Sequence, residues 1–381
     1  MREQDKRMAL QLVCLIENRA NIEQPIPSNK DIGWEEIYQL LKKHDLTHLL
    51  AYALQNKGLL DKNTEIGKKL SQDMMMAIYR YESIYFEQER IKKCFKFANI
   101  PFIFLKGSVI RQYYPEPWLR TSCDIDILVP INKLLQASKV IAKNLGYRID
   151  DKEAYDVSLF AENGVHLELH SLMEGDSVEK KLLSKVWETA YSKGDSEYFM
   201  SNDLFYFYHI AHMAKHFKNG GCGIRPFIDL IILQKVCNYN REKVDCLLQE
   251  WRLKQFELCA CKLANSWLKG LKIEDLLPME KYVLYGGVYG ALDQYVAAQQ
   301  NAKGNAQYLK RRIFMPYDEL RKRYKILEKH KYLTPFFEVI RWISLLTPKR
   351  MQQTVKEVKK LQTLDKQKVK EIDNLFSDLG L

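Results

Sequence analysis

The alternation of apolar and polar residues divides the chain into three stretches. From residue 5 to 95 apolar positions recur at helical spacing. Trp34, Ile37, Leu40 and Leu41 fall on one face, and 46–54 and 74–97 continue in that style. Between 96 and 200 the pattern shortens to runs suited to strands. These are predicted at 101–106, 124–129, 147–149, 157–161 and 165–170, with a helix over 131–145 bounded by Pro130 and Gly146. Helical periodicity returns at 202–270, with Asn202 the predicted N-cap, and persists to 381, broken at Pro278, Gly286-Gly287, Pro316, Pro335 and Pro348. The chain therefore reads as a helical region (1–95), an α/β core (96–200) and a C-terminal helical domain (201–381). No low-complexity tether separates them, so they are predicted to pack together.

The most informative strand is Asp124-Ile-Asp126-Ile-Leu-Val129. Its period of two sets Asp124 and Asp126 on one face, with Ile125, Ile127 and Val129 directed to a core. Two adjacent carboxylates repel one another, and burying them costs solvation. A divalent cation is the usual reason to tolerate them. Hard oxygen ligands near the Gly107-Ser108 turn point to Mg2+ and a phosphorylated substrate. In Val165-His166-Leu-Glu168-Leu-His170 the same alternation places His166, Glu168 and His170 on one face. Glu168 is the predicted third carboxylate. Asp150, Asp151 and Glu162 compete for that position from turn-like contexts.

The order strand, Gly-Ser, helix and Asp-x-Asp strand resembles the polymerase-beta-like nucleotidyltransferase superfamily. Leu105-Lys106-Gly107, Tyr114-Pro115, Arg120 and Asp124-Ile-Asp126 are similar to a bacterial branch of uncharacterised nucleotidyltransferases. The likeness continues through His166 to His170, His212-x-x-x-His216, Arg225 and Asp229, and more weakly through Phe314-Met-Pro316 and Arg321-x-x-Tyr324. It implies an α+β fold, a polymerase-beta-like nucleotidyltransferase core with a mixed β-sheet flanked by N- and C-terminal helical regions. It also implies transfer of a nucleoside monophosphate from an NTP, with ATP first, to an acceptor with release of pyrophosphate. Two Mg2+ ions, for which Mn2+ can substitute, would be held by Asp124, Asp126 and Glu168. Lys106, Gly107, Ser108 and Arg120 would hold the triphosphate, the arginine bidentately.

Each assignment has a plainer rival. Gly107 turns the chain and Ser108 caps a helix. Arg120 holds the acidic strand through a salt bridge. Arg225 pairs with Asp229 across one helical turn rather than touching phosphate. His170 is structural, and Cys123 packs away from the acidic face. His212 and His216 share a helical face, but a zinc site lacks its further ligands. On the functional reading, His170, His216, Arg225 and Asp229 form the second wall of the cleft.

Charge and composition refine the choice of acceptor. Residues 306–381 hold 18 Lys/Arg against 9 Asp/Glu, so +9 of the net +11 lies there. A basic segment including Lys310, Arg311 and Arg312 admits RNA as a partner. Alternating signs from Asp318 onward favour a solvated helix surface and a small-molecule or protein acceptor. The alternatives are a toxin-like enzyme modifying tRNA or other RNA, and a non-catalytic NTP-binding protein of the same fold. The eight scattered cysteines form no CxxC pair, as expected of reduced thiols in a cytoplasmic protein. No apolar run approaches the roughly 18 residues of a membrane span, Leu333–Leu346 being interrupted by Glu338 and Arg341.

Overall fold

The structure, a computed structural model, describes residues 1–14, 32–152, 156–171, 182, 186–288, 290–303, 314–317, 320, 321, 324, 326–345 and 366–381. The basic residues Lys310, Arg311 and Arg312 lie outside the described residues.

Four helices open the chain: α1 (Glu3–Cys14), α2 (Trp34–Lys43), α3 (Thr47–Asn56) and α4 (Glu65–Phe97). The last is 33 residues long and starts well before the periodic stretch at 74. Its first turn is capped by Thr64, whose hydroxyl accepts from the Gly67 amide at 3.0 Å. The sheet contains β1 (Ile103–Phe104), β2 (Asp124–Leu128), β3 (Arg148–Lys152), β4 (Asp156–Phe160) and β5 (His166–His170). The short helix α5 (Gly107–Ile110) follows β1, and α6 (Leu134–Leu145) follows β2. Spatial order is β1-β2-β5-β4-β3. The β2–β5 pair is parallel and the other pairs are antiparallel, so the mixed sheet that the resemblance implied is the sheet found. A two-stranded hairpin, β6 (Tyr191–Ser192) with β7 (Tyr198–Phe199), was not predicted. Its strands are too short for a period of two to register.

The two sheet faces serve different cores. Ile125, Ile127 and Val129 join Leu167 and Leu169 of β5 against Ile91 and Phe95 of α4 and Ile141 of α6. Each such buried side chain contributes about 1.5–3 kcal/mol of transfer free energy. Gly146, at φ +76°, supplies the left-handed residue that ends α6 and lets the chain return as β3. On the opposite face Ile103 and Leu128 belong to a larger helical core. That core includes α7 (Asn202–Lys218) and α8 (Arg225–Val236). Ser201, rather than Asn202, caps α7 by accepting from the Leu204 amide.

N- and C-terminal helices share this core. Arg7 of α1 donates to both oxygens of Glu280 at 2.5 and 2.7 Å, and Trp267 Nε1 donates to Glu280 at 2.7 Å. Elements distant in sequence are thereby tied together.

Candidate active site

Between the polar sheet face and α7–α8 lies a cleft of about 500 Å3. Its floor follows from strand register. Asp126 sits opposite Glu168, and Asp124 opposite His166, on the parallel β2–β5 pair. On β4, Asp156 and Ser158 sit opposite His170 and Glu168. The alternation that sends Ile125 and Leu167 into the core thus gathers Asp124, Asp126, Glu168 and His170 at the cleft. Ligand atoms of Asp126, Glu168 and His170 lie within 4.8 Å of one another, and so do those of Asp124, His166 and Glu168.

The charges at this floor are mutually dependent. Lys106 Nζ donates to Asp126 Oδ1 at 2.7 Å, and His170 Nε2 contacts the same oxygen at 2.9 Å. Burial works to raise the Asp126 carboxyl, but Lys106 and His170 overcome it and hold it well below the usual range. Asp124 shifts the other way, raised by burial and then by the charge of Asp126. His170 Nδ1 lies 2.8 Å from Asp156 Oδ1. Burial opposes its charged form, yet the bonds to Asp126 and Asp156 push the imidazole up to about 9. It is therefore an imidazolium at neutral pH, bridging two carboxylates. The two floor aspartates therefore differ, Asp124 being held up by burial and repulsion and Asp126 held down by its two cationic neighbours.

The turn into α5 needs an unusual backbone. Lys106 has φ +49° and ψ −125°, a sparsely populated conformation for a residue with a side chain. A Cβ at Gly107 would stand 3.2 Å from the Ser122 Cβ, tighter than ordinary contact, so glycine lets these two segments close up. Lys106, Gly107 and Ser122 line the cleft. Ser108 does not. It lines a separate small cavity with Tyr113, Tyr198 and Phe205. Its predicted contact with a triphosphate is corrected accordingly, because one step along a helix from Gly107 rotates the side chain away.

Arg120 reaches the cleft, but its guanidinium is already engaged. Nε and Nη2 donate to Asp229 at 2.7 and 2.8 Å, and Nη1 donates to the Thr121 carbonyl at 2.6 Å. Tyr114 donates to the same Asp229 at 2.7 Å. Burial raises the Asp229 carboxyl, and Arg120 more than reverses that, leaving it lowered. The predicted bidentate grip of Arg120 is real, but the carboxylate it grips belongs to α8 rather than to a substrate. Asp229 is thus a buried anchor of the second wall. The Arg225–Asp229 pair suggested by their spacing does not form. Arg225 Nη2 instead donates to Asp45 Oδ2 at 2.6 Å.

His212, Lys215 and His216 of α7 line the cleft across from the carboxylates, with the two imidazole rings edge to face at 4.4 Å. Asp156, Ser122, Lys215 and Asp45 were missed from sequence. For Asp156 a signal existed, since Asp156, Ser158 and Phe160 show the same alternation as the floor strands. Asp150 and Glu162 are not among the residues that line the cleft.

A mixed five-stranded sheet that presents Asp-x-Asp beside a glutamate on the neighbouring parallel strand defines a nucleotidyltransferase-like protein. The chain belongs to the uncharacterised nucleotidyltransferase family, whose profile matches residues 30–269. An antigenic nucleotidyltransferase-like protein from Paracoccidioides brasiliensis is a structural neighbour at 14% identity, covering 49% of this chain and 92% of that one. Its TM-score of 0.29 is too low for residue-level comparison. No curated protein matches the chain. Family and fold support nucleotidyl transfer in general. Among the described residues no helix is long and apolar enough to cross a membrane.

Proposed function

We propose that the protein is a Mg2+-dependent nucleotidyltransferase that moves a nucleoside monophosphate from an NTP, ATP foremost, to a small-molecule or protein acceptor and releases pyrophosphate. The observation that carries this reading is the carboxylate cluster on adjacent parallel strands, with Asp126 and Glu168 in register and their ligand atoms within 4.8 Å at the floor of the cleft. The oxygen-rich donor set fits a hard divalent cation, and its aspartates, Asp126 buried and Asp124 half-buried, repel one another without one. Asp124, Asp126 and Glu168 would hold the metal, and Mn2+ would be accepted by the same oxygens. Bound there, the metal would neutralise triphosphate charge and lower the pKa of an acceptor hydroxyl.

The chain's own groups do the rest. His170 orients Asp126 from one side, and Lys106 does so from the cleft, where its ammonium can also meet phosphate oxygens. Glu168, whose side chain is 36% exposed, is the floor carboxylate best placed to take a proton from the acceptor. Gly107 keeps the turn open to a phosphate. Arg120 acts by fixing α8 through Asp229, while Arg225, His212 and His216 form the opposing wall. A cytoplasmic setting is consistent with eight cysteines that form no disulfide.

Incubation with each labelled NTP, Mg2+ and a cell extract separated into RNA, protein and small-molecule fractions tests the proposal. The expected result is metal-dependent labelling of the protein or small-molecule fraction that is lost in Asp126→Asn. Labelling confined to RNA would overturn the acceptor assignment. Turnover unaffected by D126N would overturn the site.

A further inference from the structure

Arg111 follows α5 by one residue and is a buried cation that the reaction above does not use. It is 4% exposed. Its Nε donates to the Gly107 carbonyl at 2.9 Å and its Nη2 to Ser122 Oγ at 2.6 Å. Nη1 is buried with no hydrogen-bond partner among the described residues. The Tyr81 ring lies 5.9 Å away. Among the described residues no carboxylate forms an ion pair with Arg111. Burial and then the charge of Arg120 bring its guanidinium down to about 10, against the opposing influence of Tyr81 and Asp124. An uncompensated buried cation destabilises a fold. Such groups persist where the cost serves a site.

The position of Arg111 indicates that site. Its two acceptors, Gly107 and Ser122, are the residues that meet to form one corner of the cleft, and Gly107 lacks a Cβ at that corner. The guanidinium stands directly behind them. Arg111 itself does not line the cleft, and the arginines that do are bonded to carboxylates, Arg120 to Asp229 and Arg225 to Asp45. We infer that Arg111 is a positioning residue for an anion: it holds the Gly107–Ser122 corner in shape and biases it with a fixed positive charge, so that a phosphoryl group of the nucleotide's triphosphate binds there. This rests on the nucleotidyl reading above, in which the Gly107 turn already faces a phosphate, and adds to it the charge of Arg111 held at that corner. Low dielectric around the buried charge makes it effective over a longer range than a solvated lysine.

The test uses the full chain with Mg2+–ATP and Mg2+–tripolyphosphate as calorimetric ligands, and follows thermal stability without ligand. Arg111→Met removes charge and hydrogen bonds, whereas Arg111→Gln keeps donors for Gly107 and Ser122 and removes the charge alone. Both variants are expected to weaken tripolyphosphate binding by about tenfold or more. R111Q should keep or raise the ligand-free melting temperature. A residue that only staples the turn would give the opposite pattern, with a lower melting temperature and unchanged affinity. If R111M does not fold, R111Q decides, and wild-type affinity in R111Q overturns the inference. A wild-type chain that binds neither ligand would overturn the nucleotidyl reading as well. A wild type that binds and transfers, beside an R111Q variant that does so with unchanged affinity, would overturn only the role of Arg111.

Discussion

The two faces of the β2–β5 pair are built from alternate residues of the same ten positions, yet they are held by different forces. On one, Ile125, Ile127, Leu167 and Leu169 are fully buried against α4 and α6. Apolar packing there is non-directional, and small changes of shape can be absorbed. On the other, Asp126 depends on Lys106 and His170, His170 depends on Asp156, and the wall above depends on Arg120 and Asp229. Each polar group is tolerated in its buried position because of a named partner, so the polar side is expected to be the more fragile. Histidines illustrate the same lesson. His48 and His209 are buried against backbone carbonyls, and burial lowers both to about 4. His170 is comparably buried but lies between two carboxylates and rises to about 9. Burial keeps the first two neutral, and two carboxylate partners outweigh it at His170.

The largest effect should come from Arg120→Met. It strands Asp229 as an uncompensated buried charge, and a loss of about 3–5 kcal/mol in urea denaturation is expected. Arg120→Lys should lose less while still failing to reproduce the two-pronged bond. A loss in R120M no greater than that of a surface substitution would show that the polar wall does not rest on this pair.

Next come the floor aspartates. Asp124→Asn and Asp126→Asn should each cut nucleotide transfer roughly a hundredfold or more. Without metal their stabilities should part in sign. D124N should melt higher, because a carboxyl held up by burial and repulsion is replaced. D126N should melt lower, because two cations lose their shared partner. Shifts of the same sign in both variants would contradict the charge arrangement at the floor.

On the apolar face, Ile127→Val removes one methyl and should cost only about 0.5–1.5 kcal/mol. Transfer should stay within a few-fold of wild type. A hundredfold loss of activity in I127V would mean that packing, and not the polar partners, sets the geometry of Asp126.

The smallest effects concern pH, measured on the metal-free protein. The folded pKa of His170 lies above the ordinary value of 6.5, so its contribution is fully present below that value and is lost as pH rises through about 9. The difference in melting temperature between wild type and His170→Gln should therefore shrink from pH 6.5 to 9. His48 has the opposite sign. Its folded pKa is lowered, so its contribution is present above 6.5 and is lost as pH falls through about 4. The gap between wild type and His48→Gln should narrow on acidification. A gap for H170Q that does not change between pH 6.5 and 9 would count against a charged His170.

The alternation of Asp124 to Val129 and of Val165 to His170 identified both strands, their polar faces and the order of the cleft carboxylates. Side-chain direction along a strand is a local property of the backbone and needs no knowledge of neighbours. For the same reason Gly107 was legible as a turn beside the acidic strand, and Asp156 would have been had the same alternation been followed into β4. Partner choice was not legible. Arg225 and Asp229 stand one helical turn apart and read as a pair, but α3 and the turn before it bring Asp45 to Arg225, while the chain ahead of β2 brings Arg120 to Asp229. Ser108 follows Gly107 in sequence, yet the helix that starts there turns its hydroxyl out of the cleft. The buried charge of Arg111 has no sequence signature at all, because its burial depends on Tyr81 of α4 and Ser122 arriving from either side. Strand periodicity determined which residues face the cleft. Which charges neutralise which was decided by tertiary packing, because an ion pair depends on a distance of a few ångströms between segments that lie up to about a hundred or more residues apart in the chain.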